Sequence, residues 1–399
     1  MSTNYQYTRA GEVDIPRAST LLALAFGGED QECATWLRGS GSDNLRLMRS
    51  DQGCVDGTVL RIEMGQYFGG VSVPMLGIAA VCAAPEVRGG GVATDMMKAC
   101  IRELHAEGWP ISALYPSTQP LYRKVGYEQI AHRYMFSIPI GRLSQNISQV
   151  KGWTVRPLDE RETARIQSVY REFAAPWAGM IDRSEYCWTR VRRWRGQEYR
   201  GFGAYSPNGE MCGYLYMSQT RKPETGRFDV ALSDIAWTVP DAARRLLMFI
   251  ADFTTMGDDC VLQGGASHPL FQYINHNIYQ MRLRDPWMLR ITHVEKAIAA
   301  RRYSAALNIS ATIRIVDDVV PENGGAWKIT IGDGKGRAAR AAGSDTGSEI
   351  DIRALVQIWS GYLSVEQAIA LRLVAGDPGE LLRLGPAFAG PTPWMTDFF

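Results

Sequence analysis

The sequence predicts an α/β protein built from mixed sheets, an α+β arrangement in three successive parts. Three observations carry that prediction. At residues 78–84 a short apolar strand stops at Pro85, the chain passes Arg88 and glycines 89, 90 and 91, and a helix follows with Val92, Met96, Ala99 and Leu104 at helical spacing. From Trp153 a strand, Pro, Arg, helix order recurs, ending in 229–239 and the helix from Pro240, but without the glycines. After Asp285-Pro286 a strand series is followed by three helices. The expected parts are therefore 1–150, 151–285 and 286–399, with the polar stretch 144–148 marking the first boundary.

Residues 5–10 alternate as a first strand. Apolar positions on a helical period over 15–26 predict a helix that ends at Gly27-Gly28, and a second helix over 31–38 carries Trp36. Strands follow at 45–50 and 58–67. The longest uncharged run, 67–84, is interrupted by Gly69, Gly70, Pro74 and Gly77, so it predicts two buried strands and a turn rather than a membrane span. The helix from Val92 ends near Glu107-Gly108; a buried strand at 111–115 and a strand at 130–138 complete the first part. The second part opens with a strand at 155–158 and a helix at 162–173, then a hairpin of 201–205 and 213–218 about Pro207-Asn208-Gly209. Trp188 and Trp194 alternate with Arg190, Arg192, Arg193 and Arg195, the pattern of a helix with a core stripe and a charged outer face. The third part is expected to hold strands at 287–291, 312–316, 326–331 and 336–341, and helices at 294–301, 352–359, 364–371 and 378–384, with Ser364 as an N-cap. Its Gly332-Asp333-Gly334 is a hairpin turn, since no helix follows to make a phosphate site.

Composition narrows the function. With 43 basic and 42 acidic residues the net charge is +1, which disfavours nucleic acid as a partner. Seven cysteines are scattered without a C-x-x-C pair, so neither a disulfide framework nor a zinc site is indicated, and a reducing compartment is expected. The amino terminus lacks a basic-then-apolar signal pattern, and no membrane association is indicated. The expectation is a soluble, cytoplasmic protein without metal.

A strand, a glycine turn and a helix aim bare backbone N–H groups at an anion, aided by the helix dipole. A nucleoside triphosphate loop needs Gly-Lys-Ser/Thr after the glycines; Val92-Ala93-Thr94 stands there. A dinucleotide fingerprint needs G-x-G-x-x-G, which Gly89, Gly91 and Thr94 break. What remains is Arg88-Gly89-Gly90-Gly91-Val92-Ala93, preceded by V-x-A-x-P; a ligand-free turn is the simpler alternative. Further on, Tyr122 stands in Y-x-x-x-G-Y, either presenting its hydroxyl to a ligand or packing in the interior. Arg123 and Lys124 are a solvated pair or phosphate contacts. Cys82 is expected to point into the core as a structural thiol. The apolar, aromatic end at 392–399 should dock rather than dangle, since burial is favourable by roughly a few kcal/mol.

The R-x-x-G-x-A string resembles the acetyl-CoA pyrophosphate loop of the GCN5-related N-acetyltransferase (GNAT) superfamily. A GNAT domain, a degenerate GNAT-like copy and a sterol-carrier-like third part ending in an aromatic residue resemble the Eis family of acetyltransferases over the whole chain. That resemblance implies acetyl transfer from acetyl-CoA to primary amines, with aminoglycosides and lysine side chains as acceptor types, and assembly into a hexamer. It implies that Val81 and Ala83 offer backbone groups beside the thioester. Arg88, Gly89, Gly91, Val92 and Ala93 hold the phosphates, and Ser117 lies in the segment leading to the acid. Tyr122 is the general acid, and the Phe399 carboxylate is the general base. Phe26, Glu29, Asp30 and Trp36 line the acceptor cleft. The loop carries fewer basic residues than the family's usual one, only Arg88 preceding the glycines. The opposing functional class is an acyl-CoA or lipid carrier without turnover.

Overall fold

A computed structural model of the chain describes residues 4–341 and 347–399. They form two compact units, one of residues 4–131, 286–341, 347–392 and 398–399, the other of 132–285 and 393–397.

In the first unit, β1 (Tyr5–Arg9) leads to α1 (Ile15–Phe26) and α2 (Asp30–Gly39), then to β2 (Leu45–Ser50), β3 (Val55–Phe68) and β4 (Val71–Ala83). α3 (Val92–Glu107), β5 (Ile111–Leu114), α4 (Gln119–Arg123) and β6 (Glu128–Pro139) follow. Strands β1 to β4 pair in sequence order and antiparallel. β4 then pairs in parallel with β5, the crossover being α3. Residues Met288–Ile291 of the strand Gln280–Ile291 pair antiparallel with β5, next to the sequence-expected strand at 111–115.

One expectation is corrected here. Pro74 and Gly77 do not break the apolar run; both lie inside β4, opposite Gly65 and Ile62. Only Gly69-Gly70 turns the chain, because both hold left-handed backbone angles (φ 65° and 83°). α3 buries Val92, Met96, Met97, Cys100, Ile101 and Leu104, and this stripe meets Leu76 and Ile78 of β4, Leu114 of β5 and Tyr122.

The carboxyl-terminal part of this unit is a sheet of Lys335–Arg340, Gly325–Gly332, Ile309–Val316, Ser348–Asp351 and Val374–Gly376, in that spatial order. Helices Val294–Ala300, Ile352–Ser360, Val365–Ala370 and Gly379–Phe388 accompany it. Ser364 caps its helix in a reciprocal bond with Gln367. The strands Ser348–Asp351 and Val374–Gly376 are additions to the expected series, too short to show alternation in sequence. Arg290, 0% exposed, ties this part to the first sheet. Its Nη2 donates to both Asp317 oxygens at 2.8 Å, and Asp317 also accepts from the backbone N–H groups of Val319 and Val320. A Cβ at Gly126 would fall 1.3 Å from Arg290 Nη1, so the turn after α4 closes over the guanidinium only because residue 126 has no side chain.

In the second unit the strands Thr154–Pro157, Arg200–Tyr205, Met211–Arg221, Phe228–Trp237 and Gly257–Gly264 lie side by side, and residues 134–139 of β6 join the last. Phe228–Trp237 runs into the helix Pro240–Ala251 and then in parallel against Gly257–Gly264, repeating the β4, α3, β5 order. Val239 enters that helix in extended backbone without a glycine, so no anion cradle is formed. The expected helix bearing both Trp188 and Trp194 is shorter: it spans Glu185–Arg192, and Trp194 lies in a small hairpin, stacked under Arg190 at 3.5 Å. Arg183 is buried with its guanidinium shared between Asp234 (2.5 and 2.9 Å) and Asp397 (2.8 and 3.1 Å), and lies over the Tyr170 ring. Among the described residues no helix is long and apolar enough to cross a membrane.

Replacing Arg290 by Ala is expected to lower unfolding free energy by about 3–5 kcal/mol, because the buried Asp317 carboxyl would lose its partner in a dry interior. Urea denaturation of the purified variant measures this.

Candidate active site

The site begins where β4 and β5 part. They pair from Met75–Ile111 to Ile78–Leu114, and β5 then ends while β4 continues to Ala83. On the other edge of β4 the register against β3 slips between Thr58–Cys82 and Leu60–Ala79, so an extra residue bulges out. Ala80 takes φ +53°, a left-handed angle that costs an L residue about 1–2 kcal/mol. Its carbonyl accepts the Thr58 hydroxyl at 2.7 Å. The bulge re-aims the backbone of Val81 and Ala83, both half-buried, along the edge that β5 leaves uncovered.

The chain then makes one tight turn at Pro85–Val87 and enters the glycine run. Arg88 to Gly91 are exposed. Gly89 (φ 83°) and Gly91 (φ 88°) hold angles that side chains resist, although a Cβ at Gly89 would meet nothing within 4 Å. Backbone angle, not room, therefore selects glycine there. Gly91 caps α3, and the N–H groups of Val92, Ala93 and Thr94 in its first turn have no helical partner. Arg88 reaches back to the Ala83 carbonyl (Nε to O 3.4 Å). The arrangement is an open, dipole-aligned amide cradle suited to an anion.

α4 presents Tyr122. The ring is 3% exposed and edge-on to Tyr127 at 6.2 Å. Burial raises its phenol to a pKa of about 12, against the lowering effect of a hydrogen bond with Ser117. The phenol is thus fully protonated at neutral pH. Gly126, left-handed at φ 84°, ends the turn, and the amides of Val125 and Tyr127 both bond the Tyr122 carbonyl. Of the basic pair beside it, Arg123 is engaged by Glu128 at 2.7 Å, and Lys124 is exposed.

The chain end lies on the same sheet. Phe399 is 5% exposed, with its ring against Gly77 of β4 and edge-on to Tyr115 at 5.6 Å; Phe398 packs on Tyr115 at 4.5 Å. The terminal residue thus rests at the last β4–β5 rungs, just before the strands part. Phe26, Glu29, Asp30 and Trp36 stand on α1 and α2 and their junction, with α1 packed on β3 and β4. Phe26 is 57% exposed, Glu29 and Asp30 are exposed, and Trp36 is half-buried; Asp30 Oδ2 accepts the Thr20 hydroxyl at 2.5 Å. Cys82 is buried with Sγ 3.0 Å from Thr58 Oγ1, and burial raises its thiol pKa, so it offers no ready thiolate. Among the described residues no group of three or more His, Cys, Asp or Glu side chains is arranged to hold a metal.

Three contributors escape sequence reasoning: the left-handed Ala80, Tyr115 as the platform for the tail, and Gly77. Only Gly77 leaves a sequence signal, since a lone glycine within a strand pattern marks a bulge or a close approach.

Residues 6–130 and 179–291 match two family models, each described as an acetyltransferase (GNAT) domain, and residues 294–396 match a sterol carrier protein domain. An uncharacterized N-acetyltransferase of Streptomyces avermitilis is 26% identical over 352 residues, 83% of this chain and 83% of its own. N-acetyltransferase Eis of Mycobacterium tuberculosis is 25% identical over 355 residues, 83% of this chain and 82% of its own. A GCN5-related N-acetyltransferase from Anabaena variabilis, known from its crystal structure, superposes with a TM-score of 0.92 at 27% identity, over 99% of this chain and 100% of that one. Together with the parted strands and the amide cradle, these likenesses define the chain as a GNAT-type N-acetyltransferase. Within that class it is Eis-like, with two GNAT domains, the second degenerate, followed by a sterol-carrier-like domain.

Cys82→Ala is expected to retain most turnover, because a thiol held protonated in the interior is no nucleophile. Loss of activity in a steady-state assay, with folding intact by circular dichroism, would reinstate a covalent role.

Proposed function

We propose that the enzyme transfers the acetyl group of acetyl-CoA to primary amines, with aminoglycosides and lysine side chains as acceptor types. The observation that carries this is the exposed glycine turn at residues 88–91 leading into the N-terminus of α3, directly after the stretch of β4 that β5 leaves unpaired, with Tyr122 buried near Cys82 of the same strand. In this proposal Arg88, Gly89, Gly91, Val92 and Ala93 hold the diphosphate. Val81 and Ala83 receive the acyl end through main-chain groups, and Ser117 steadies the Tyr122 hydroxyl. The working parts are residues 1–150, 151–285 and 286–399, and the assembly is a cytoplasmic hexamer.

The chemistry follows from proton balance. An alkylammonium has a pKa of about 10.4 and must shed a proton before attack. The Phe399 carboxylate takes it, directly or through a water. Its ordinary pKa of about 3.5 makes it a weak base in water, which a dry seat improves. The amine nitrogen bonds to the thioester carbonyl carbon, and main-chain N–H groups near Val81 steady the oxyanion. The C–S bond then breaks, and Tyr122 gives its proton to the departing thiolate. Glu29 and Asp30 attract polycationic acceptors into a cleft walled by Phe26 and Trp36.

Thiol release from acetyl-CoA in the presence of an amine panel tests the proposal; flat traces across the panel would favour a carrier without turnover. Tyr122→Phe is expected to lower kcat by about 10²-fold or more while acetyl-CoA affinity is kept. Because burial raises the phenol to about 12, the acid form persists well above the usual tyrosine range near 10. The kcat profile should therefore hold its plateau through about pH 10. A decline centred there, absent in Tyr122→Phe, would mean an ordinary, solvated phenol.

A further inference from the structure

We infer that Gly77 is a positioning residue for the general base: it is the missing side chain in β4 that seats the Phe399 ring and so fixes where the terminal carboxylate lies. This inference rests on the assignment of that carboxylate as the base.

Gly77 sits in mid-strand, paired with Ile62 of β3 and Ala113 of β5, and is buried. Its backbone is not left-handed, unlike Gly89 or Gly91, so φ gives no reason for glycine. In the middle of a strand glycine is less favourable than alanine. Room is the reason. A Cβ at Gly77 would stand 2.9 Å from both Cδ2 and Cε2 of Phe399 and 2.8 Å from the Met64 methyl, all closer than real carbon contacts permit. The methionine tip can swing aside. The phenyl ring packs edge-on to Tyr115 as well, and lifting off the sheet relieves the clash. A lifted ring carries the carboxylate with it, since both hang from one Cα.

The seat also explains the aromatic chain end. The Phe399 ring, packed against a side-chain-free strand position, is buried at 5% exposure, although Pro391 and Thr392 are exposed. Two sites far apart in the sequence, one a glycine and one the last residue, therefore form one steric pair: a hole and its plug. A merely structural plug would fasten the tail without setting the rate.

The test is a kinetic cycle on the full-length enzyme: Gly77→Ala, Phe399→Leu, the double variant, and a native chain extended by one glycine. A displacement of about 1 Å in a catalytic group costs on the order of 10²-fold. Gly77→Ala should therefore lower kcat at least tenfold, with the acetyl-CoA Kd within about twofold of native. The double variant should be no slower than Gly77→Ala alone, because hole and plug are one interaction. Gly77→Ala with native kcat, or effects that multiply in the double variant, would overturn the inference. If Gly77→Ala fails to bind acetyl-CoA or to fold, Phe399→Trp in the native background replaces it: the larger ring should overfill the seat and lower kcat with Kd kept, and native kcat would refute the seat. The extended chain separates the two claims. Extension without loss of kcat removes the carboxylate as base, whereas loss on extension with none on Gly77→Ala removes only the seat.

Discussion

The parallel pairing of β4 with β5 ends at Ile78 and Leu114, while β4 runs on through a left-handed Ala80 to Ala83. That early stop organises the first unit. A strand edge without a partner must satisfy its polar groups elsewhere. On the β3 side the Ala80 carbonyl is taken by the Thr58 hydroxyl, and on the other side β4 beyond Ile78 has no β5 partner. The same strand then delivers the chain to the glycine turn and α3, so the gap and the amide cradle are consecutive stretches of one element. Strain at Ala80 is small beside the burial of the α3 stripe, which at about 1.5–3 kcal/mol per large apolar side chain fixes both neighbours of the gap.

Two groups of opposite character carry the proposed proton transfers. Tyr122 is a dry phenol kept neutral by burial, and Phe399 ends the chain with its ring against Gly77 of β4. In the proposed reaction the first is the acid and the second the base. Each is packed by residues without chemistry of their own: Tyr127 and the Gly126 turn for the one, Gly77 and Tyr115 for the other. Arg290 and Asp317 secure the Gly126 turn from below, which gives the sterol-carrier-like domain a structural part in shaping the GNAT site.

Much of this was legible in the sequence because it is local. Pro85, the three glycines and the periodic stripe from Val92 to Leu104 specify strand end, turn and helix within one short segment, each by its own backbone rule. The absence of glycines before Pro240 likewise told that the second copy makes no cradle. What stayed hidden depends on distant partners. Pro74 and Gly77 look like breaks in the chain's own terms; β3 pairing absorbs the first and Phe399 fills the space of the second. The strands Ser348–Asp351 and Val374–Gly376 are four and three residues long, and only their neighbours in the sheet make them strands. Trp194 left its helix because the helix closes at Arg192, and stacking under Arg190 keeps the spacing that suggested a stripe.

The most direct test of the whole account compares acetyl-CoA with acetyl-pantetheine, which carries the same thioester but no diphosphate, by calorimetric titration. If the main-chain amides of residues 89–93 grip the diphosphate, the truncated thioester should bind weaker by two orders of magnitude or more, on the order of 3 kcal/mol, and the difference should shrink as salt is raised. Equal affinity for the two compounds would contradict the account at its root.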